Sequence, residues 1–305
     1  MLNYGGWDDT MTALSAMGQD RRHVWLIDNA SPQDRSAMIA AAFPEVRIIT
    51  MERNWGWAGA YNRAIALASA EGHPAVYILN NDAVPHPDAV ASALESLFSD
   101  SLIAAVGSLM LQHGGQSVFF DGDWYFHGGG LPVAQAHHDL RLVRSLHGGG
   151  FALKLAAYTD VGPFHEDYFL YHEETDWCFR AQAKGWTIAI DGRSRVDHEG
   201  GASNLGFNSS YYMARNRYLA MRRNILLRDR QETRLSIAEY EYIGSLGAPL
   251  SQRVAITSGL IDGWRGKFGQ RATGWSPVIT LPLAIMMPIW FRMVRRFRHL
   301  SGTRA

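Results

Sequence analysis

Short apolar runs rich in β-branched side chains recur at His23–Ile27, Val46–Thr50, Ala75–Leu79 and Leu102–Val106. Between them, Ser31–Phe43, Trp57–Ala70 and Pro87–Phe98 read as helices, so the order is strand, helix, strand, helix. That alternation predicts an α/β fold with a mostly parallel sheet and helices on its faces. Met1-Leu2-Asn3-Tyr4 reads as the end of a first strand that is either very short or begins upstream. Residues 112–150 are rich in glycine and aromatics and close on His147-Gly148-Gly149-Gly150; they read as hairpins and a mobile loop. A helix is expected over Glu174–Lys184, ended by Gly185, then a strand over Trp186–Ile190 and a long Arg-rich helix over Ser209–Arg228.

Composition narrows the class. With 305 residues, 47% of them hydrophobic, the chain can bury enough surface to offset chain entropy, which excludes disorder and low complexity. The single cysteine, Cys178, excludes a disulfide framework and a Cys-rich zinc site and points to a reducing compartment. No cationic segment followed by an apolar one opens the chain, which points away from secretion. A formal net charge of zero removes the simplest case for nucleic-acid binding.

The zero conceals an asymmetry. Of 29 basic groups, eight follow Asp262 and no acidic group does, so residues 1–262 hold 21 basic against 29 acidic side chains. Within the tail, Val278–Phe291 is nearly all apolar but only 14 residues long and interrupted by Pro282 and Pro288, too short to cross a bilayer. Trp290, Met293, Val294 and Phe297 then fall at helical spacing, with Arg292, Arg295, Arg296 and His299 mostly opposite. That pattern, over about residues 275–300, predicts a helix lying in an anionic membrane interface; the alternative is a terminal helix packed on the body or on a second subunit of a homo-oligomer.

Ligands of α/β sheets gather at the carboxyl ends of strands, and five clusters lie there. Asp28-Asn29-Ala30-Ser31 offers a carboxylate for a nucleobase or ribose, or a plain capping turn. In the stretch Arg53 to Asn62, Gly56 and Gly59 let backbone approach a diphosphate at a helix N-terminus, or simply form a tight helix start. No third glycine and no Gly-Lys-Ser/Thr accompany them, so neither a dinucleotide fingerprint nor a P-loop is present. Asn80-Asn81-Asp82 pairs one carboxylate with amide oxygens, which suits Mg²⁺ or Mn²⁺ holding a diphosphate; a turn is the alternative. Glu173-Glu174-Thr175-Asp176-Trp177-Cys178 reads either as a general base in apolar walls or as an exposed acidic helix start. His198, after a strand and before Gly200-Gly201, is either a metal ligand or a structural hydrogen-bonder.

In this order the clusters resemble the family-2 glycosyltransferases, in particular the rhamnosyltransferase-like branch of bacterial surface-polysaccharide synthesis. Asn3-Tyr4-Gly5-Gly6-Trp7 is similar to that family's first nucleotide loop, Ile27 to Ser31 to its base- and ribose-contacting loop, and Arg53-Asn54-Trp55-Gly56-Trp57-Ala58-Gly59 to its Asn-x-Gly-x-x-Gly segment. Leu79-Asn80-Asn81-Asp82 stands where the family carries Asp-x-Asp, and Glu173 to Cys178 where it carries Glu-Asp-x-Asp. Gly149-Gly150-Phe151 and Val161 to Phe164 resemble the acceptor-side loop; His198 to Ser203 and Arg215-Asn216 match later signatures.

The resemblance, over about residues 1–225, implies a GT-A domain. Its nucleotide-sugar half spans about 1–110 and its acceptor half about 111–225, followed by a helical, membrane-associating region over 226–305. It implies inverting transfer of a sugar from a UDP- or dTDP-sugar donor to a glycan or lipid-linked acceptor, at the cytoplasmic face of the inner membrane. The nucleotide sugar falls to Asn3, Tyr4, Asp28, Asn29, Ser31, Arg53, Asn54, Gly56, Gly59, Asn62, Asn80 and Asn81. Mg²⁺ or Mn²⁺ falls to Asp82 with His198, the proton to Glu174, with Glu173 competing and Asp176 alongside. The acceptor falls to Gly149, Gly150, Trp177 and Arg215. Asn80 departs from the metal motif, and Glu174 from the usual Asp base. Two other readings compete: a nucleotidyltransferase, which would release pyrophosphate, and a catalytically inactive membrane-bound binding subunit.

Overall fold

A computed structural model describes residues 1–112, 114–122, 131–132, 139–198, 206–223, 248–271 and 280–286. The chain forms two compact units, one of residues 1–166 with 173–201, the other of residues 167–172 with 202–305.

The first unit is the α/β body. Strands β1 (Leu2–Asn3), β2 (Trp25–Asp28) and β3 (Arg47–Thr50) pair in parallel, with Leu2 opposite Ile27 and Trp25 opposite Arg47. A parallel bridge from Leu2 to Asn80 carries this sheet to the end of β4 (Ala75–Leu79). β5 (Ala83–Pro85), β6 (Ile103–Gln112), β10 (Gly150–Lys154) and β11 (Thr187–His198) complete the larger sheet in the order β4-β10-β6-β11-β5. β6 and β11 run parallel; β10 is inserted antiparallel between β4 and β6, and β5 is antiparallel to β11. Short strands β7 (Ser117–Phe120) and β8 (Leu131–Pro132) pair antiparallel as in the expected hairpins, β7 also with β6, whereas β9 (Leu140–Leu142) pairs with β11 instead.

Helices α1 (Trp7–Ala16), α2 (Ser36–Ala42), α3 (Gly56–Ala70), α4 (Ala89–Ser99), α5 (Leu155–Val161) and α6 (Glu173–Ala183) belong to this unit. β6 is buried along nine of its ten residues, as a central strand covered on both faces must be. Ala93 and Leu97, one helical turn apart on α4, close a core with Ile103, Val106, Ala152 and Ala189 from three neighbouring strands. The helix expected from Ser31 begins only at Ser36. Asp28 takes both the N–H and the hydroxyl of Ser31, and Asp34 takes the Ser36 N–H, so residues 29–35 stay in turns.

The second unit holds α7 (Phe207–Arg223) and α8 (Leu250–Arg265). They pack at close range because Gly259 faces the Tyr211 carbonyl and Gly263 the Arg215 carbonyl, where no Cβ fits. The expected extension of α7 to Arg228 and the basic face at 292–299 lie outside the described residues. Among the described residues no helix is long and apolar enough to cross a membrane.

Candidate active site

The carboxyl ends of β1, β2, β3 and β4 carry the expected cluster, but many of its amides serve the protein. Asn3, fully buried, accepts from Asn81 Nδ2 at 3.1 Å and donates to Ser31 Oγ at 3.3 Å. Asn29 donates to Asn54 Oδ1 and the Gly56 carbonyl and accepts the Trp55 N–H. Asn62 holds the backbone of Phe164 through both ends of its amide. Asn81 Nδ2 also donates to the Gly6 carbonyl at 2.7 Å. These residues bracket the loops together, leaving Tyr4 exposed and Arg53 laid over the Trp55 ring, 3.5 Å from its centroid. Gly56 opens α3 with φ +69°, a left-handed conformation that favours glycine, and its N–H goes to Asn54 Oδ1. A Cβ on Gly59 would sit 2.9 Å from the Trp55 Cβ.

The register of β5 against β11 places His198 opposite Ala83, beside Asp82. His198 Nε2 stands 3.4 Å from Asp82 Oδ1. Burial opposes ionisation of Asp82, yet the hydrogen bond and charge of His198 outweigh it and hold the carboxyl below its usual range. Two ligands in adjacent positions of an octahedral ion lie about 3 Å apart, so this pair fits a divalent cation that takes its remaining ligands from phosphate and water. Among the described residues no group of three or more His, Cys, Asp or Glu forms a complete protein cage. Asn80 faces elsewhere: its Oδ1 accepts the Trp57 indole N–H at 3.2 Å.

The turn His147 to Gly150 lies between the Asp82–His198 pair and Glu174. The Asn80 N–H donates to the Gly149 carbonyl at 3.2 Å, and the Gly148 N–H lies close enough to the Glu174 carboxylate to favour its ionised form. Glu174 lies in the first turn of α6 and is partly exposed. Burial pushes its carboxyl up to about 7, against the pull of its own N–H and those of Thr175 and Gly148. A half-ionised, accessible carboxylate near neutrality is the state a general base needs. Glu173 is buried, and Asp176 is fully buried with Arg180 Nε at 2.8 Å.

The acceptor-side residues divide. Gly149 and Gly150 line the turn, whereas Trp177 is buried and donates its indole N–H to the Gly162 carbonyl. Arg215 lies buried in the second unit, its guanidinium donating to the carbonyls of Asp167, Tyr168 and Gly269. Two residues at the site escape sequence reasoning. Trp57 packs a ring edge near Gly148, and His147, partly buried, accepts the Gly149 N–H on Nδ1 at 3.0 Å. The sole cue to His147 was its place before three glycines.

An antiparallel β10 inserted into a mostly parallel sheet, with Asp82 just past β4 and Glu174 in the first turn of α6, defines a GT-A glycosyltransferase fold. A mannosyltransferase from Pyrobaculum calidifontis, solved in complex with GDP-Man and Mn²⁺, has the same fold at TM-score 0.56 and 16% identity, over 96% of this chain and 80% of that one. Residues 8–175, more than half of the chain, match the model of glycosyl transferase family 2, and the chain belongs to that family. It is 23% identical over 229 residues to a low-salt glycan biosynthesis hexosyltransferase of Haloferax volcanii, covering 72% of this chain and 73% of that protein. It is 25% identical over 218 residues to the N-acetylglucosaminyl-diphospho-decaprenol L-rhamnosyltransferase of Mycobacterium tuberculosis, covering 62% and 70%.

Proposed function

We propose that this family-2 glycosyltransferase is an inverting enzyme that moves a hexosyl or rhamnosyl group from a UDP- or dTDP-sugar to a hydroxyl of a glycan or lipid-linked acceptor. The observation that carries the reading is the single turn, His147 to Gly150, with the Asp82–His198 pair on one side and the Glu174 carboxylate on the other. Asp82 and His198 would hold Mg²⁺ or Mn²⁺, which would supply positive charge to stabilise the departing diphosphate. Glu174 takes the proton of the acceptor hydroxyl as that oxygen attacks the anomeric carbon and the bond to the diphosphate oxygen breaks. One carboxylate serving one direct displacement gives inversion. Trp57 excludes water beside Gly148 and fixes Asn80, whose amide stays out of proton transfer.

The catalytic region of this proposal is residues 1–225. The remainder places the enzyme on the cytoplasmic face of the inner membrane. Supporting this, residues 280–286 are helical with Leu281, Leu283, Ile285 and Met286 exposed, directly before the acid-free basic segment. A thermal-shift screen of UDP-, dTDP- and GDP-sugars with and without Mn²⁺ tests the donor reading. A shift that requires both partners is expected. No shift with any pair would refute it.

A further inference from the structure

The turn that separates the two halves of the site is itself tied by a residue outside the machinery assigned above. His147 is partly buried, and its ring lies among those of Phe119, Phe120 and His198, with centroids 5.5, 5.6 and 5.2 Å away. Among the described residues its ring hydrogen bond is local: Nδ1 accepts the N–H of Gly149 at 3.0 Å. An imidazole that accepts on Nδ1 is neutral and carries its proton on Nε2.

The 148–149 peptide fixed by this bond lies between the two peptide units that face the site. The Gly149 carbonyl accepts from Asn80, two residues before Asp82, and the Gly148 N–H favours the ionised Glu174 carboxylate. Glycines at 148 and 149 leave the turn without side chains of its own to lock it, and a Cβ at Gly149 would lie 2.9 Å from His147 Nδ1. Rigidity here must come from outside the backbone, since glycine has the widest conformational freedom of any residue. His147 is the side chain that provides it.

We infer that His147 is a positioning residue: by holding the Gly149 N–H it fixes the 148–149 peptide and, through it, the adjoining Gly148 N–H that faces Glu174, so that this carboxylate is oriented toward the acceptor hydroxyl. This rests on the reading of Glu174 as the base. Two polar replacements separate the role from simple packing. In His147→Asn the amide oxygen stands where Nδ1 stood, whereas in His147→Gln it is carried one methylene further, away from Gly149.

The test joins hydrogen–deuterium exchange of the peptide bearing Gly148 and Gly149 to steady-state release of nucleoside diphosphate from the donor that the wild-type protein accepts. Full-length protein with Mn²⁺ is used throughout. For His147→Gln, exchange at these amides rises and kcat falls about 100-fold with donor KM within about threefold, the signature of a displaced catalytic group rather than lost binding. His147→Asn restores both protection and kcat to within about threefold of wild type. Equal losses in the Asn and Gln variants overturn the inference, as does a raised donor KM with intact kcat, which would put His147 on the metal side. A wild-type protein that turns over no donor sinks the reading of Glu174 instead. In that case unchanged amide protection in His147→Gln still refutes the tie, because exchange needs no substrate.

Discussion

Replacing Glu174 by Gln makes the folded protein more stable at alkaline pH, by an amount the site itself sets. The carboxyl has an ordinary value of 4.5 and is pushed up to about 7 in the folded chain, chiefly by burial. The folded state therefore binds this proton more tightly than the unfolded state. Stability from the protonated group is fully present below about 4.5 and is lost as pH rises through about 7. At about 1.4 kcal/mol per pH unit over a window of about 2.5 units, the ionised carboxylate costs the folded protein about 3 kcal/mol. Gln never ionises, so its melting temperature relative to wild type gains about 6–12 °C between pH 4.5 and pH 8, using about 2–4 °C per kcal/mol for a unit of this size. Scanning both proteins in the same buffers cancels every other titrating group. An offset between the two melting curves that stays constant across this window would refute the reasoning, since it would mean that the carboxyl titrates in its usual range.

Asn216 donates to the carbonyls of Tyr168, Leu170 and Tyr171 at 2.8, 2.6 and 2.9 Å, bracing a segment in which Phe169, Tyr171 and His172 all have left-handed φ of 64–72°. Asn216→Ala removes three bonds of about 1 kcal/mol each, so urea unfolding should register a loss of about 3 kcal/mol; a loss under about 1 kcal/mol would contradict this account. Gly259→Ala drives a methyl group into the Tyr211 carbonyl at the α7–α8 crossing and is expected to destabilise by about 1–3 kcal/mol in the same assay. An unchanged midpoint would mean that the crossing is looser than described. Vesicles with anionic phospholipid should sediment the protein, and charge-neutral replacement of Arg292, Arg295, Arg296 and Arg298 should abolish this; equal binding to neutral vesicles would remove the electrostatic part of the membrane reading.

Much of this architecture is legible in the sequence, and the boundary of what is legible has a physical cause. The apolar runs after which Asp28, Asn80 and Asp82 stand do become parallel strands, because buried strands need little beyond a short β-branched stretch. Glu174 reads correctly as a first-turn residue of a helix, since acidic groups favour that end of the dipole. What escapes is anything decided by an amide or a carbonyl from a distant loop. Asn3, Asn29, Asn62 and Asn81 carry the residue type expected of nucleotide contacts, yet each spends its side chain on backbone or on another amide across 25 to 102 residues of sequence. The strand β10 is missed for a related reason: Gly150-Phe151-Ala152-Leu153-Lys154 has no alternation, and only its insertion between β4 and β6 makes it a strand. Trp177 and Arg215 look like surface contact groups in sequence but lie buried, with their polar ends on carbonyls.

The central claim is a division of labour between Asp82 and Glu174, and one paired measurement bears on it most directly. Mn²⁺-dependent donor binding, followed by titration calorimetry, and nucleoside diphosphate release are measured on Asp82→Ala and Glu174→Ala side by side. The account predicts that Asp82→Ala loses the Mn²⁺-dependent part of binding, while Glu174→Ala binds donor as wild type does and releases product at least about 100-fold more slowly. Wild-type turnover in Glu174→Ala, or undiminished Mn²⁺-dependent binding in Asp82→Ala, would contradict it.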